Sequence, residues 1–471
     1  MTANGPTMTN DGESRDSVSR FPVINPATEQ AIRQAPDCER EQLDEAVAAA
    51  RRAFPSWRAR PFAERQEALR AIARILAGNI ESLQHLLTSE QGKPLAAARS
   101  EIEAAAWWIA TVAENELPVS ESLDMPGQRA VTRHVPIGVV GGIVPWNFPV
   151  LLAIWKIGPA LLTGNTLVLK PSPSTPLTTL RIGELLRGVL PPGVLNVVCG
   201  GDRLGPWMSE HPDIDKISFT GSTETGRRVM RSAAANLKRL TLELGGNDAA
   251  IVLPDADVAA IAEPLFWAAF TNSGQVCVAA KRVYIHADIY DDVLAALAEV
   301  ARRVRVGAGT GPDIGLGPVQ NRAQFQRVKA LIAQSAEAGH RHIVPAPAVP
   351  DVGYFVPVTL VDNPPEDSAI VQEDAFGPVL PLLRYEDVGE AIARANASPY
   401  GLGGSVWSSN VAGAAEVAAR LETGTVWINS AQGLTPFAAF AGHKQSGIGA
   451  ENGLEGLLEF TVPQTVYEPL G

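Results

Sequence analysis

GVVGGIV (138–144), NTLVLK (165–170), GVLNVV (193–198), DKISF (215–219), RLTLE (239–243) and AAIVL (249–253) are the runs that decide the fold. Each is short and β-prone, and most are apolar along their length instead of alternating. Segments of helical length separate them. Strands buried on both faces and joined by such crossovers read as a parallel sheet covered on both sides, an α/β class. The punctuation agrees: Ser174 or Thr175 is placed to cap a helix with Pro176 in its first turn, and Gly188, Pro191 and Pro192 end it.

Upstream, Glu39 to about Ala113 is rich in Ala, Arg and Glu at helical spacing, a layer of amphipathic helices. Downstream, a second α/β region runs from about Gly245 to Ala441, with KRVYIHADIY (281–290), a helix over 291–303, and strands at PVLPLLRY (378–385), GGSVWS (403–408) and GTVWIN (424–429). No 20 to 50 residue repeat is visible, which excludes a solenoid or propeller. The pieces near 125–135 and 457–471 read as exposed strands, and exposed edges invite pairing with another chain, so a homo-oligomer is expected.

The 471 residues carry 39 Lys and Arg against 51 Asp and Glu, a formal charge of −12. Nothing in that balance draws the chain to nucleic acid or an anionic membrane. Three separated cysteines, Cys38, Cys199 and Cys277, form no CxxC. No metal site and no disulfide framework is expected, and a reducing cytoplasm fits. Residues 1–20 are polar and read as a disordered tail. The apolar run from Val135 to Trp155 is broken by Pro136, Pro145, Pro149 and three glycines, so it reads as buried core and not as a membrane span.

Four features carry chemistry. FTGSTETG (219–226) follows a strand and opens a helix, placing Gly221 and Ser222 where free amides and the dipole attract phosphate. Lys170 ends a strand, on the side where parallel sheets bind ligands. Cys277 in NSGQVCVAAKR is either a small buried hydrophobe or a nucleophile. Glu243, ending a buried strand before two glycines, suits a general base, and Asn147 in the stiff, apolar PWNFP loop suits a preorganised donor.

Together these residues resemble the NAD(P)-dependent aldehyde dehydrogenase superfamily, from about Pro22 to Val466. PWNFP (145–149), Lys170 with PSPSTP, FTGST (219–223), ELGG (243–246), GQVC ending at Cys277, EDAFGP (373–378) and GTVWIN ending at Asn429 follow the family's order. The resemblance implies a Rossmann-like parallel-sheet cofactor domain (21–118 and 137–244), a second α/β catalytic domain (245–445), and a small β oligomerisation element with the C-terminal tail (119–136 and 446–471). It implies that Cys277 attacks the aldehyde and that Asn147 and the Cys277 amide hold the oxyanion. Glu243 then activates the water that hydrolyses the thioester, and Lys156 stands nearby as a proton relay or as packing. Trp146 and Lys170 are placed at the adenosine ribose, Gly221 and Ser222 at the pyrophosphate, and Glu373 or Asp374 with Phe376 at the nicotinamide ribose. Phe148, Trp155 and Phe440 line the substrate tunnel.

Glu243 argues for hydrolysis over transfer to coenzyme A. Departures from the family pattern are Pro173 where many NAD-preferring members have Glu, Asp374 where Glu is usual, and AFAG (439–442) for PFGG. NAD is favoured over NADP. The apolar tunnel suits a small or medium apolar or aromatic aldehyde. Ser430 and Thr435 keep a succinate-semialdehyde-like substrate as the alternative, and a non-catalytic scaffold is the rival from another class. A homodimer or homotetramer is expected.

Overall fold

The computed structural model describes residues 5–125, 127–343 and 348–469. Two large sheets organise it. The first has eight strands in the order Glu13–Arg15, Met8–Asn10, Leu195–Val197, Thr166–Lys170, Val139–Ile143, Lys216–Thr220, Arg239–Glu243, Gly447–Ile448. Its five central strands are parallel. The strand order reverses between Val139–Ile143 and Lys216–Thr220. In an open parallel sheet a ligand crevice opens outside the carboxyl ends at such a reversal.

The second sheet has seven strands, ordered Arg341–Ile343, Thr359–Asp362, Val379–Tyr385, Ala280–His286, Asp248–Val252, Gly403–Trp407, Thr425–Ile428. All pairings are parallel except that of Arg341–Ile343. The chain passes from the end of Arg239–Glu243 to the start of Asp248–Val252 in four residues. The carboxyl edge of one sheet therefore faces the amino edge of the other, and the loops of both meet in the cleft. A third, antiparallel sheet joins Thr461–Pro469, Gln128–Pro136 and Val119–Met125. The two segments expected to be exposed strands, one internal and one C-terminal, thus pair with each other, and Tyr467 on this sheet is exposed.

Three expectations need correction. Residues 1–20 were expected to be a disordered tail; residues 1–4 lie outside the described residues, but Met8–Asn10 is buried and adds an antiparallel strand at Thr9–Val197. The polar letters misled because the side chains of Thr9 and Asn10 are themselves buried. The helix after PSPSTP is Leu177–Leu185, and neither Ser174 nor Thr175 caps it. Its first amides, Leu177 N and Thr178 N, donate instead to the buried carboxylate of Glu90, at 2.6 and 2.8 Å. A residue 87 positions away is invisible to local capping rules. Gly447–Ile448, expected to belong with the oligomerisation strands and C-terminal tail, pairs instead with Leu242 and Glu243 of the first sheet.

The 135–155 run divides into a buried strand, a loop and the buried helix Pro149–Leu162. No helix among the described residues is long and apolar enough to cross a membrane. Among the described residues no cluster of three or more His, Cys, Asp or Glu side chains is placed to hold a metal.

Candidate active site

Trp146, Asn147, Gly221, Ser222, Glu243 and Cys277 line one cavity of about 690 Å³ at the strand-order reversal, closed on the far side by Asp374 and Phe376. Ser222 caps the helix Thr223–Ala233 by accepting from Thr225 N, so the first amides of that helix open onto the cleft. This is the arrangement that binds a phosphate-bearing cofactor, and the cleft has the volume and the aromatic walls to hold its nicotinamide end.

Cys277 follows an unusual turn. Asn272, Ser273 and Gly274 take φ of 52, 57 and 75° in succession. At Gly274 a Cβ would lie 2.2 Å from the carbonyl oxygen of Gly377, so only glycine lets the two loops approach. Ser273 Oγ donates to Gly317 O at 2.7 Å and anchors the turn.

Asn147 is braced from two sides. Its Nδ2 donates to Gln275 O at 3.0 Å, and its own carbonyl accepts from Lys93 Nζ at 3.0 Å and Asn272 Nδ2 at 3.1 Å. Lys93 is fully buried, paired with Glu101 at 2.5 Å, and its ammonium stands 3.9 Å from the centre of the Phe148 ring. Glu101 also accepts from Val150 N and Leu151 N, capping the helix that follows the Asn147 loop. The loop carrying Asn147 is therefore tied to the nucleophile's loop and to a buried ion pair.

Glu243 is buried, and burial together with the nearby Glu451 carboxylate pushes its carboxyl up to about 8, opposed by the Cys277 thiol, Lys156 and Lys281. Its side chain lies close enough to the Cys277 thiol for each to shift the other's titration, and Glu243 Oε1 is buried without a hydrogen-bond partner. Burial pushes that thiol well above the usual value, Glu243 adds to the rise, and Lys281 opposes it. Lys156 is fully buried and donates to Glu451 Oε1, Thr220 Oγ1 and Ser218 Oγ at 2.7, 2.8 and 3.1 Å. It lies behind the Glu243 strand as part of a closed polar network.

On the cofactor side, Asp374 and not Glu373 borders the cavity. Glu373 points outward and pairs with Arg327 at 3.2 Å. One Asp374 oxygen accepts from both Lys281 Nζ and Phe376 N, each at 3.0 Å, which holds Phe376 at φ 46° with its ring edge-on to Trp146. Lys170 does not border the cavity: its Nζ reaches Pro171 O at 3.3 Å, and burial pulls it below the usual lysine range.

On the opposite side, Trp155 stacks at 5.1 Å on Trp108 and meets Phe440 edge-on at 5.9 Å. A second, shallow cleft with room for little more than a water molecule lies there between Trp108, Trp155, Pro436 and Asn452. Phe148 and Phe440 border neither space; Phe440 is buried, its backbone exchanging two hydrogen bonds with Glu451.

The model of the aldehyde dehydrogenase family matches residues 13–466. The chain belongs to the aldehyde dehydrogenase family. A probable aldehyde dehydrogenase of a Pseudomonas species is 44% identical over 449 residues, covering 95% of this chain and 91% of that protein. The phenylacetaldehyde dehydrogenase of Pseudomonas fluorescens is 38% identical, covering 94% and 91%. Among solved structures, the NAD+ complex of a Bacillus cereus aldehyde dehydrogenase superposes with a TM-score of 0.96 at 37% identity, covering 99% of this chain and 97% of that one. Like the family, this aldehyde dehydrogenase is an oxidoreductase that converts aldehydes to carboxylic acids with a nicotinamide cofactor.

Several residues of the site escaped the sequence reading. Lys93, Glu101, Lys281 and Glu451 are charged letters that normally mark solvated faces. Gln324 and Arg327, which border the cavity, sit on an ordinary amphipathic helix, Arg322–Glu337. GKP at 92–94 was the one local signal, since a glycine and a proline flanking a lysine interrupt two helices.

Proposed function

We propose that the chain is a hydrolytic aldehyde dehydrogenase in which Cys277 is the nucleophile and Glu243 the base. The observation that carries this reading is the Glu243 carboxyl facing the Cys277 thiol inside a cleft that a helix N-terminus also enters. Cys277, its proton released to solvent, adds Sγ as the thiolate to the aldehyde carbon, and the oxyanion is held by the Asn147 amide and the Cys277 N–H. A nicotinamide cofactor held between Gly221 and Ser222 on one side and Asp374 and Phe376 on the other would supply the hydride acceptor. Phe376 and Trp146 form the apolar wall that excludes water from that side. The Cys277 thioester is then hydrolysed by a water that gives its proton to Glu243, releasing the acid and the thiol. Behind the base, Lys156 favours its carboxylate and Glu451 opposes it.

The substrate reading is an apolar or aromatic aldehyde, supported by the Trp108 and Trp155 rings that border the second cleft. NAD is the proposed cofactor, supported by the likeness to an enzyme solved with NAD+. Pro173 puts no carboxylate against a 2′-phosphate, so NADP is measured beside it. The exposed Val466 and Tyr467 on the third sheet support a homo-oligomer, and three free cysteines support a reducing cytoplasm. The test is the initial rate of reduced-nicotinamide formation with aromatic, aliphatic and carboxylated aldehydes, in the wild type and in Cys277→Ala. Turnover without coenzyme A, lost in the variant while cofactor still binds, is expected. Retained turnover in Cys277→Ala overturns the reading.

A further inference from the structure

Lys281 is four residues beyond Cys277, at the start of the strand Ala280–His286, and its side chain is 7% exposed. A lysine there would ordinarily extend to solvent. Instead its ammonium turns back and donates to Gly246 O at 2.8 Å and to Cys277 O at 3.0 Å, and pairs with Asp374 at 3.0 Å. Three segments therefore meet at one cation: the turn after the base Glu243, the peptide of the nucleophile, and the loop that carries Phe376. Gly246 is needed for this meeting, because a Cβ there would stand 2.8 Å from Cys277 O.

An ammonium so placed has two consequences. It fixes the nucleophile's peptide against the cofactor wall, and it puts a positive charge beside a thiol whose other close charges are acidic. Glu243 and Asp248 face Cys277, Glu451 and Lys156 face Glu243 from behind, and Asp374 faces Lys281 itself. Among the described residues, Lys281 is the cation that most opposes the rise of the thiol. A neighbouring cation favours the ionised form of a thiol, and a buried one is little screened.

We propose that Lys281 is a positioning residue whose buried charge favours the thiolate of Cys277, and that Asp374 sets how much of that charge the thiol feels. The proposal deepens the reading of Cys277 as the nucleophile and rests on it. Asp374 then has a role besides any contact with the cofactor: it partly neutralises Lys281 and holds Phe376.

The test is the pH dependence of alkylation of the full-length, cofactor-free enzyme by iodoacetamide, followed on the Cys277 peptide by mass spectrometry. Cys38 and Cys199 are buried and serve as internal controls. Lys281→Met is expected to move the profile up by about one pH unit, which slows alkylation about tenfold on the rising limb. Lys281→Arg keeps the charge and is expected to stay near the wild type. Asp374→Asn removes the acid partner but keeps a hydrogen-bonding side chain, and is expected to move the profile down.

The opposite signs decide the matter. If the pair merely braced the loops, both neutralising variants would loosen the same contact and move the profile the same way. A folded Lys281→Met with an unchanged profile overturns the proposal, as does an upward shift in Asp374→Asn. Should Lys281→Met fail to fold, Asp374→Asn still gives the sign. Repeating the series in Glu243→Gln removes the base's own titration from the profile. Failure here leaves the role of Cys277 untouched, since that stands or falls on turnover by Cys277→Ala.

Discussion

Replacing Glu243 by Gln tests the base directly, and its size follows from the burial of the side chain. With the carboxyl held up to about 8 by burial and by Glu451, only about a tenth of the enzyme carries the carboxylate at pH 7. Where thioester hydrolysis limits turnover, the rate should then rise roughly tenfold per pH unit below that midpoint and level off above it. Glu243→Gln removes the base while keeping the volume and one acceptor. A positioned base contributes roughly a hundred- to ten-thousand-fold, or about 3–5 kcal/mol of barrier. In rapid mixing with an aromatic aldehyde, the variant is expected to give a burst of reduced nicotinamide near one per site, then a slow, nearly pH-independent phase as thioester accumulates on Cys277. Glu451→Gln supplies a sign check: losing that negative neighbour should lower the midpoint of the wild-type profile. A Glu243→Gln enzyme that turns over within threefold of wild type, with the same rise between pH 6 and 8, would falsify the assignment.

Two further outcomes follow from the buried charges. Lys93→Met leaves Glu101 buried without its cation and should cost about 3–5 kcal/mol in denaturant unfolding, much of it recovered in Lys93→Met/Glu101→Gln, where the capping oxygen survives without the charge. Because Lys93 holds the Asn147 carbonyl, the activity loss of Lys93→Met should vanish in the background of Asn147→Ala, itself slowed roughly a hundred- to thousand-fold; additive losses refute the linkage. Stability should also fall as pH rises from about 5 to 8. Glu90 and Asp248 are pushed up to about 7 and Glu243 to about 8, chiefly by burial, so the folded state binds more protons than the unfolded state across that window. His211 and His342, pulled down by burial, oppose this in the lower part of the window, and Lys216, pulled down to about 8 by burial, opposes it near and above that value. Urea midpoints that climb between pH 5 and 8 would contradict this balance.

While the reaction class came from the order of the motifs, which resembles that of the aldehyde dehydrogenase superfamily, the sequence alone determined the first parallel sheet, a second α/β region and Cys277, Glu243 and Asn147 as candidates. These are local signals: an apolar run long enough for a strand, a glycine turn where strand gives way to helix, a carboxylate or thiol next to glycine. Each is dictated by backbone conformation and burial within a few residues. The tertiary structure decided which charges stand behind those groups. Lys93 reaches Asn147 across 54 residues, Glu451 reaches Lys156 across 295, Glu90 caps a helix 87 residues on, and the choice between Glu373 and Asp374 falls to the one that meets Lys281. None of this is legible along the chain, because a lysine or glutamate that pairs in the core has the same letter as one on a solvated helix face. Only the distance to its partner, set when the two sheets close on each other, makes it part of the site.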